Sequence, residues 1–281
     1  MQPAGVYRYT SIARPVDPRF PSNKAVLFAV PAAALLAALL SALGLSQSTG
    51  VASAALSTAL AAFGAWALTR ELSPDDDPAA FISMALAVAA QLWLGTASVL
   101  PVFVALVLAR VVNRSTGMHA RWLDSVLVTG FVIWAMSKLA DPLLGVAACI
   151  AFFLDASLAR PARFQLLFGM ICLIASMALV VQDGVAMPAL ADAEGIAFWL
   201  GLGILSAFCI RLLTTARLIS VGDMSGLPLN TPRVRGGMFV VALAAAQAPV
   251  LHGESAMNPL LWACLAGTVT GAVARTLAHR A

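Results

Sequence analysis

Apolar residues run along this chain in long blocks instead of alternating with polar ones. Ten blocks stand out, at 25–45, 51–69, 79–95, 98–113, 122–139, 142–158, 163–181, 195–215, 236–251 and 258–277. Several fall short of the roughly 20 residues a helix needs to cross a hydrocarbon core. Unbroken runs of this kind predict helices, whereas barrel strands would alternate over short segments. Gly95, Thr96 and Ser98 mark a turn between the third and fourth blocks, with Pro101 in the first turn of the helix that follows. The tight connection SKLADP (137–142) makes the fifth and sixth helices antiparallel neighbours.

Composition turns these helices toward lipid. Of 281 residues, 61% are hydrophobic and 11% charged, against about 25% charged in soluble domains. A water-soluble fold of this size cannot hide so much apolar side chain, so the excess must face a bilayer. Residues 1–23 are polar and basic, and the run beginning at Ala25 is too long for a cleaved signal, which predicts a retained first helix. Cys149, Cys172, Cys209 and Cys264 each lie inside an apolar run without a CxxC pairing. They read as small buried hydrophobes, with no disulfide or metal site inferred.

The placement of positive charge orients the chain. With the N-terminus cytoplasmic and ten crossings, Arg8, Arg14, Arg19, Lys24, Arg70, Arg110, Arg114, Arg121, Arg160, Arg163, Arg211, Arg217, Arg233, Arg235, Arg275 and Arg280 fall inside and only Lys138 outside. That bias predicts an all-α polytopic membrane protein. About ten transmembrane helices would form five antiparallel hairpins, with both termini cytoplasmic. Residues 1–24 form a basic cytoplasmic segment and 25–281 a single membrane domain. Cytoplasmic loops are expected near 70–78, 114–121, 159–162 and 216–235, in what reads as a bacterial cytoplasmic membrane. Inward-running helices end in ALTR (67–70), VLAR (107–110), SLAR (157–160) and TTAR (214–217), where arginine reaches the headgroups. Trp93, Trp199 and Trp262 fall near outer boundaries, and Trp66 and Trp122 near inner ones, as in an aromatic belt.

Against this apolar background four polar features are candidates for chemistry, and a small-residue seam is a candidate for packing. The stretch RELSPDDDPAAF (70–81) carries Asp75, Asp76 and Asp77. Asp77 before Pro78 reads as the N-cap of the third helix. Asp75 and Asp76 exceed what one cap requires, and adjacent carboxylates can hold a divalent metal that bridges to a phosphate. Asp124 and Asp155 reach similar depth on the fifth and sixth helices, where they can bind a cation or share a proton, or pair with Arg121, Arg160 or Arg163. In the long connection 216–237, Arg233 and Arg235 precede Gly236-Gly237, a combination suited to a phosphate or lipid headgroup and equally to an ordinary inner-face loop. Gln91 and Gln247 lie in the outer half of apolar helices, at a depth similar to that of Pro101 and Pro249, either as a solute path or as interhelical glue. Gly267 and Gly271, with Ala263, form a small-residue seam for a closely approaching helix from this chain or from a second copy.

His119, His252 and His279 are far apart in sequence, and no HExxH, nucleophile elbow or Walker loop occurs. The positive charges follow the membrane boundary rather than a groove, which excludes nucleic acid as a partner and leaves the lipid bilayer. Ten short spans with both ends inside and tight loops are similar in topology to small secondary carriers of the drug/metabolite type. The 216–237 connection departs from that pattern. The resemblance implies a small permease or secondary carrier, and a proton-coupled mechanism would use Asp124 or Asp155. Two alternatives use other residues. One is a membrane-embedded enzyme acting on lipid or isoprenoid phosphates through Asp75–Asp77, Arg233 and Arg235. The other is a non-catalytic assembly partner docking through Gly267 and Gly271.

Overall fold

The computed structural model describes residues 5–46, 50–95, 97–183, 195–252 and 257–278. Ten α-helices occur among them: α1 (Pro21–Ala42), α2 (Val51–Leu72), α3 (Asp77–Leu94), α4 (Leu100–Asn113), α5 (Trp122–Leu139), α6 (Leu143–Ser157), α7 (Gln165–Asp183), α8 (Ile196–Thr214), α9 (Thr231–His252) and α10 (Pro259–Ala278). Each of the ten apolar blocks is a helix. Six of them, α1, α2, α3, α5, α7 and α8, are long and apolar enough to cross a membrane, and α4 and α6 are apolar but shorter. Phe28, Leu35 and Leu39 on α1 and Ile196, Leu200 and Ile210 on α8 stand exposed. Outward-facing rows of this kind belong in lipid. The chain is a helical membrane protein.

The chain falls into two compact units, comprising 1–14 with 104–257 and 15–103 with 258–281. The basic N-terminal segment is divided between them after Arg14, and α4 after Phe103.

In the first unit α6 packs on α7 and α9, α5 on α6 and α7, and α8 on α9. Its core is built from stripes at helical spacing: Val104, Leu108, Val111 and Val112 on α4, and Leu144, Ala147, Ala148, Ala151 and Phe152 on α6. Glycine lets α6 and α7 approach closely. A Cβ on Gly145 would lie 3.0 Å from the Cys172 carbonyl oxygen, and one on Gly169 2.7 Å from the Phe153 ring. Asp155 continues the α6 stripe, one turn beyond Ala151 and Phe152, and is fully buried.

In the second unit α3 lies against α2 and α10, and α1 against α2. The Gly267/Gly271 seam is filled from within the chain. A Cβ at Gly267 would sit 2.6 Å from the Ser83 nitrogen, and one at Gly271 2.6 Å from the Ala79 Cα. Ser83 Oγ accepts a 2.7 Å hydrogen bond from Thr69 Oγ1 and donates to the Cys264 carbonyl, joining α2, α3 and α10 at one level.

Trp93, Trp122 and Trp199 are exposed, while Trp66 and Trp262 are buried in the second unit. Thr96, His279 and Arg280, with the side chain of His252, lie outside the described residues.

Candidate functional site

The polar end of the first unit concentrates most of the charged residues the sequence singled out. Arg114 follows the last residue of α4 in the left-handed conformation, φ 52°, which costs an L-residue about 1–2 kcal/mol. That backbone turns its guanidinium back onto α6. Nε donates to Asp155 Oδ1 at 2.7 Å and Nη1 to the Arg160 carbonyl at 2.7 Å. Arg233, in the first turn of α9, arrives from the other side. Its Nη1 donates to the same Asp155 Oδ1 at 2.7 Å and to the Val112 carbonyl at 3.0 Å, while Nη2 donates to the Ala159 carbonyl at 2.7 Å. Close approach of α9 depends on Gly237, whose Cβ would fall 2.9 Å from Asn113 Cγ.

Two guanidinium groups thus share one carboxylate oxygen. The excess positive charge is met by the C-terminal ends of α4 and α6, each equivalent to roughly half a negative charge. The Val112 carbonyl is one that the end of α4 leaves without an intrahelical donor, and the Ala159 and Arg160 carbonyls follow just beyond the end of α6. The cluster is therefore close to neutral and largely satisfied by this chain alone. Asp155 Oδ2 is the exception, buried with no hydrogen-bond partner.

Arg233 and Arg235 were expected in the 216–237 connection. Both are helical, because α9 begins at Thr231. Asn230 accounts for the earlier start, its Oδ1 accepting from the Arg233 N–H at 3.2 Å, and Pro232 suits a first turn. The Asn-Thr-Pro triplet was the signal. Arg235 Nη2 donates to the Leu213 carbonyl at the end of α8. Both arginines are engaged on backbone carbonyls.

Asp124 has a different set of partners from Asp155. Its Oδ2 accepts from the Ser11 N–H at 2.9 Å, from Ser11 Oγ at 2.6 Å and from the Arg121 N–H at 3.1 Å. Asp124 therefore caps the start of α5 and pins the N-terminal segment, in which Ser11 is buried. The Ser11 carbonyl accepts from Thr116 Oγ1 at 2.6 Å, and the Arg121 guanidinium reaches the carbonyls of Tyr7 and Arg8. Arg14 forms a two-pronged pair with Asp223, Nε to Oδ2 at 2.7 Å and Nη2 to Oδ1 at 2.8 Å. The Tyr7 hydroxyl donates to Asp223 Oδ2 at 3.4 Å. Partial burial, then the Asp223 charge, raises the Tyr7 phenol above its ordinary value. The Asp223 and Met224 N–H groups donate to the Ser115 and Thr116 carbonyls. Residues 5–14 thus form a strap over the 114–121 and 215–230 connections, a role not visible in the sequence.

The Arg14–Asp223 pair is about a quarter exposed at each end, and such pairs contribute up to about 1 kcal/mol. Arg14→Glu is expected to speed amide deuterium exchange across residues 9–14. Combining it with Asp223→Arg should restore slow exchange, and equal exchange in all three proteins would show that the pair does not hold the strap.

In the second unit, the acidic run at 75–77 is divided among three environments. Asp77, expected as the N-cap, is the first residue of α3 and pairs with Arg70. Asp76 occupies the cap position without a side-chain cap bond. The pull of Arg70 at the end of α2 explains the exchange of roles. The Asp75 carbonyl accepts from Arg275 Nη1 at 3.0 Å. No group of three or more His, Cys, Asp or Glu is gathered to hold a metal ion among the described residues. In the first unit, Asp141 Oδ1 accepts from the Leu143 N–H at 3.0 Å, just before α6.

The two helix-embedded amides are both buried. Gln91 Oε1 on α3, in the second unit, and Gln247 Nε2 on α9, in the first, have no hydrogen-bond partner. Gln165 at the start of α7 has the same condition at Nε2 while its Oε1 accepts from Ser125. Sequence reading passed over Gln165 because it stands at a helix boundary, where a polar residue attracts no notice. Comparison with family models, curated proteins and solved structures yields no match to this chain.

Proposed function

We propose that this protein is a small permease or secondary carrier of the bacterial cytoplasmic membrane, crossing it ten times with both termini cytoplasmic. The ten helices correspond to the ten apolar blocks, and the arginine-rich connections support the orientation. The observation that carries the transport reading is the pair of buried, unpartnered amide atoms inside apolar helices, Gln91 Oε1 and Gln247 Nε2. A polar atom left unpaired in a membrane interior costs several kcal/mol, and such groups mark the paths of polar solutes.

In this reading Asp124 and Asp155 serve as framework, each being held by several donors of the chain itself. Phosphate chemistry at the inner face would need free arginine donors, and those of Arg233 are committed to carbonyls and Asp155. Self-association through Gly267 and Gly271 would have to displace α3.

Reconstituted into proteoliposomes and tested with a panel of labelled polar solutes, the protein is expected to carry at least one of them. Gln91→Leu and Gln247→Leu should each cut that flux about tenfold or more, the worth of one lost hydrogen bond to a substrate, with unchanged elution from a sizing column. Full flux in both variants would defeat the assignment.

A further inference from the structure

The connection between α2 and α3 contains two buried oxygen atoms that the chain leaves unpartnered. Asp76 is 2% exposed and Ser73 3% exposed. Asp76 Oδ2 and Ser73 Oγ have no hydrogen-bond partner. Buried polar groups are nearly always paired, and a carboxylate oxygen more strictly than most. A hydrogen bond from the Asp76 N–H to the Ser73 carbonyl at 3.1 Å closes the Ser73–Asp76 turn. The two residues therefore stand at the ends of one four-residue turn, within a few ångströms of each other along the backbone.

The same turn receives the end of α2 at Leu72. The last carbonyls of a helix lack intrahelical donors and form the negative end of its dipole. A carboxylate, a hydroxyl and the last carbonyls of a helix thus belong to one short turn of the chain. Arg70 pairs with Asp77, and Arg275 Nη1 donates to the Asp75 carbonyl of the same turn, so neither guanidinium bonds to Asp76 Oδ2 or Ser73 Oγ.

We propose that this turn binds a monovalent hard cation, sodium, through Asp76 Oδ2, Ser73 Oγ and the terminal carbonyls of α2. Oxygen-only donors select hard ions over transition metals. A single unpartnered carboxylate balances one positive charge. Calcium or magnesium would call for more carboxylates, and no trio of acidic side chains is gathered among the described residues. Helix C-termini and turn carbonyls are the groups that hold sodium in carriers. The inference rests on the carrier reading for the ion's purpose, as a coupling ion, and on the turn's geometry for its binding.

The test is equilibrium binding of radioactive sodium to the full chain in detergent, in choline buffer. Wild type is expected to show one saturable site that Asp76→Asn abolishes and Ser73→Ala weakens about tenfold or more. Asp75→Asn should leave binding unchanged. Absence of saturable binding by the wild type, or wild-type binding in both Asp76→Asn and Ser73→Ala, would overturn the proposal, as would displacement by calcium at equal concentration. Should Asp76→Asn fail to fold, Ser73→Ala decides, since it removes one oxygen and little else. No solute is present in this assay. A negative result leaves the permease reading standing, and a failed flux experiment leaves a positive binding result intact.

Discussion

Asp155→Ala is expected to be the most damaging single substitution in the first unit, lowering stability by roughly 3–5 kcal/mol, the usual cost of removing one partner from a buried ion pair. The carboxylate is fully buried and is shared by Arg114 and Arg233. Without it two guanidinium groups are left at close range, with only the ends of α4 and α6 to balance them. Arg233→Ala should cost less, because Asp155 keeps Arg114, but it releases the Val112 and Ala159 carbonyls as well. Arg114→Gly should cost least of the three. It loses the ion pair yet relieves the left-handed backbone at φ 52°, a saving of about 1–2 kcal/mol. Thermal unfolding of purified protein in one detergent measures all three. An Asp155→Ala melting temperature equal to wild type would mean that the cluster does not hold the helices together.

Gly267→Val combined with Gly271→Val is expected to prevent assembly of the second unit. At both positions the first side-chain carbon would fall inside the van der Waals shell of α3 backbone, 2.6 Å from the Ser83 nitrogen and 2.6 Å from the Ala79 Cα. Backbone cannot rotate aside as a side chain can, so α10 must move away and the Thr69–Ser83–Cys264 connection breaks. Overpacking of one site costs about 1–3 kcal/mol, and two sites one turn apart on the same face act together. Gly130→Ala and Gly203→Ala are the controls. Nothing lies within 4 Å of a Cβ at either position, and alanine favours a helix by up to about 1 kcal/mol. Those variants should melt at or slightly above wild type. A double valine variant that melted with them would show that the seam tolerates side chains.

The extent to which sequence reveals this fold depends on how far apart the interacting residues lie. Apolar blocks are local, and the block at 122–139 matches α5 residue for residue. The start of α9 was misplaced because the eye follows hydrophobicity, whereas the helix begins at a polar cap, Asn230, several residues earlier. Burial of Asp155 was implicit in the stripe at 144, 147, 148, 151, 152 and 155, since a residue in phase with a core stripe points to the core. Its partners were not legible. The nearby Arg121, Arg160 and Arg163 were natural choices, but Arg114 and Arg233 approach from separate helices. The N-terminal strap was hidden for the same reason, since a basic segment before a membrane helix normally reads as an unstructured tail. Burial of Trp66 and Trp262 was not legible either. Indole is at home at an interface, and only packing reveals that these two are enclosed.

The second unit is discontinuous in the chain, formed by 15–103 with 258–281, and this sets the timing of its birth. The helix that fills the groove of α3 leaves the ribosome long after α3 itself. At roughly 5–20 residues per second, α1, α2 and α3 wait in the bilayer for on the order of ten seconds before α10 arrives. During that interval the faces around Ser83 and Ala79 are open to whatever helix drifts past, a newborn neighbour or an insertion chaperone. A nascent chain stalled before residue 258 should therefore crosslink to foreign membrane proteins through these two positions, and a released full-length chain should not.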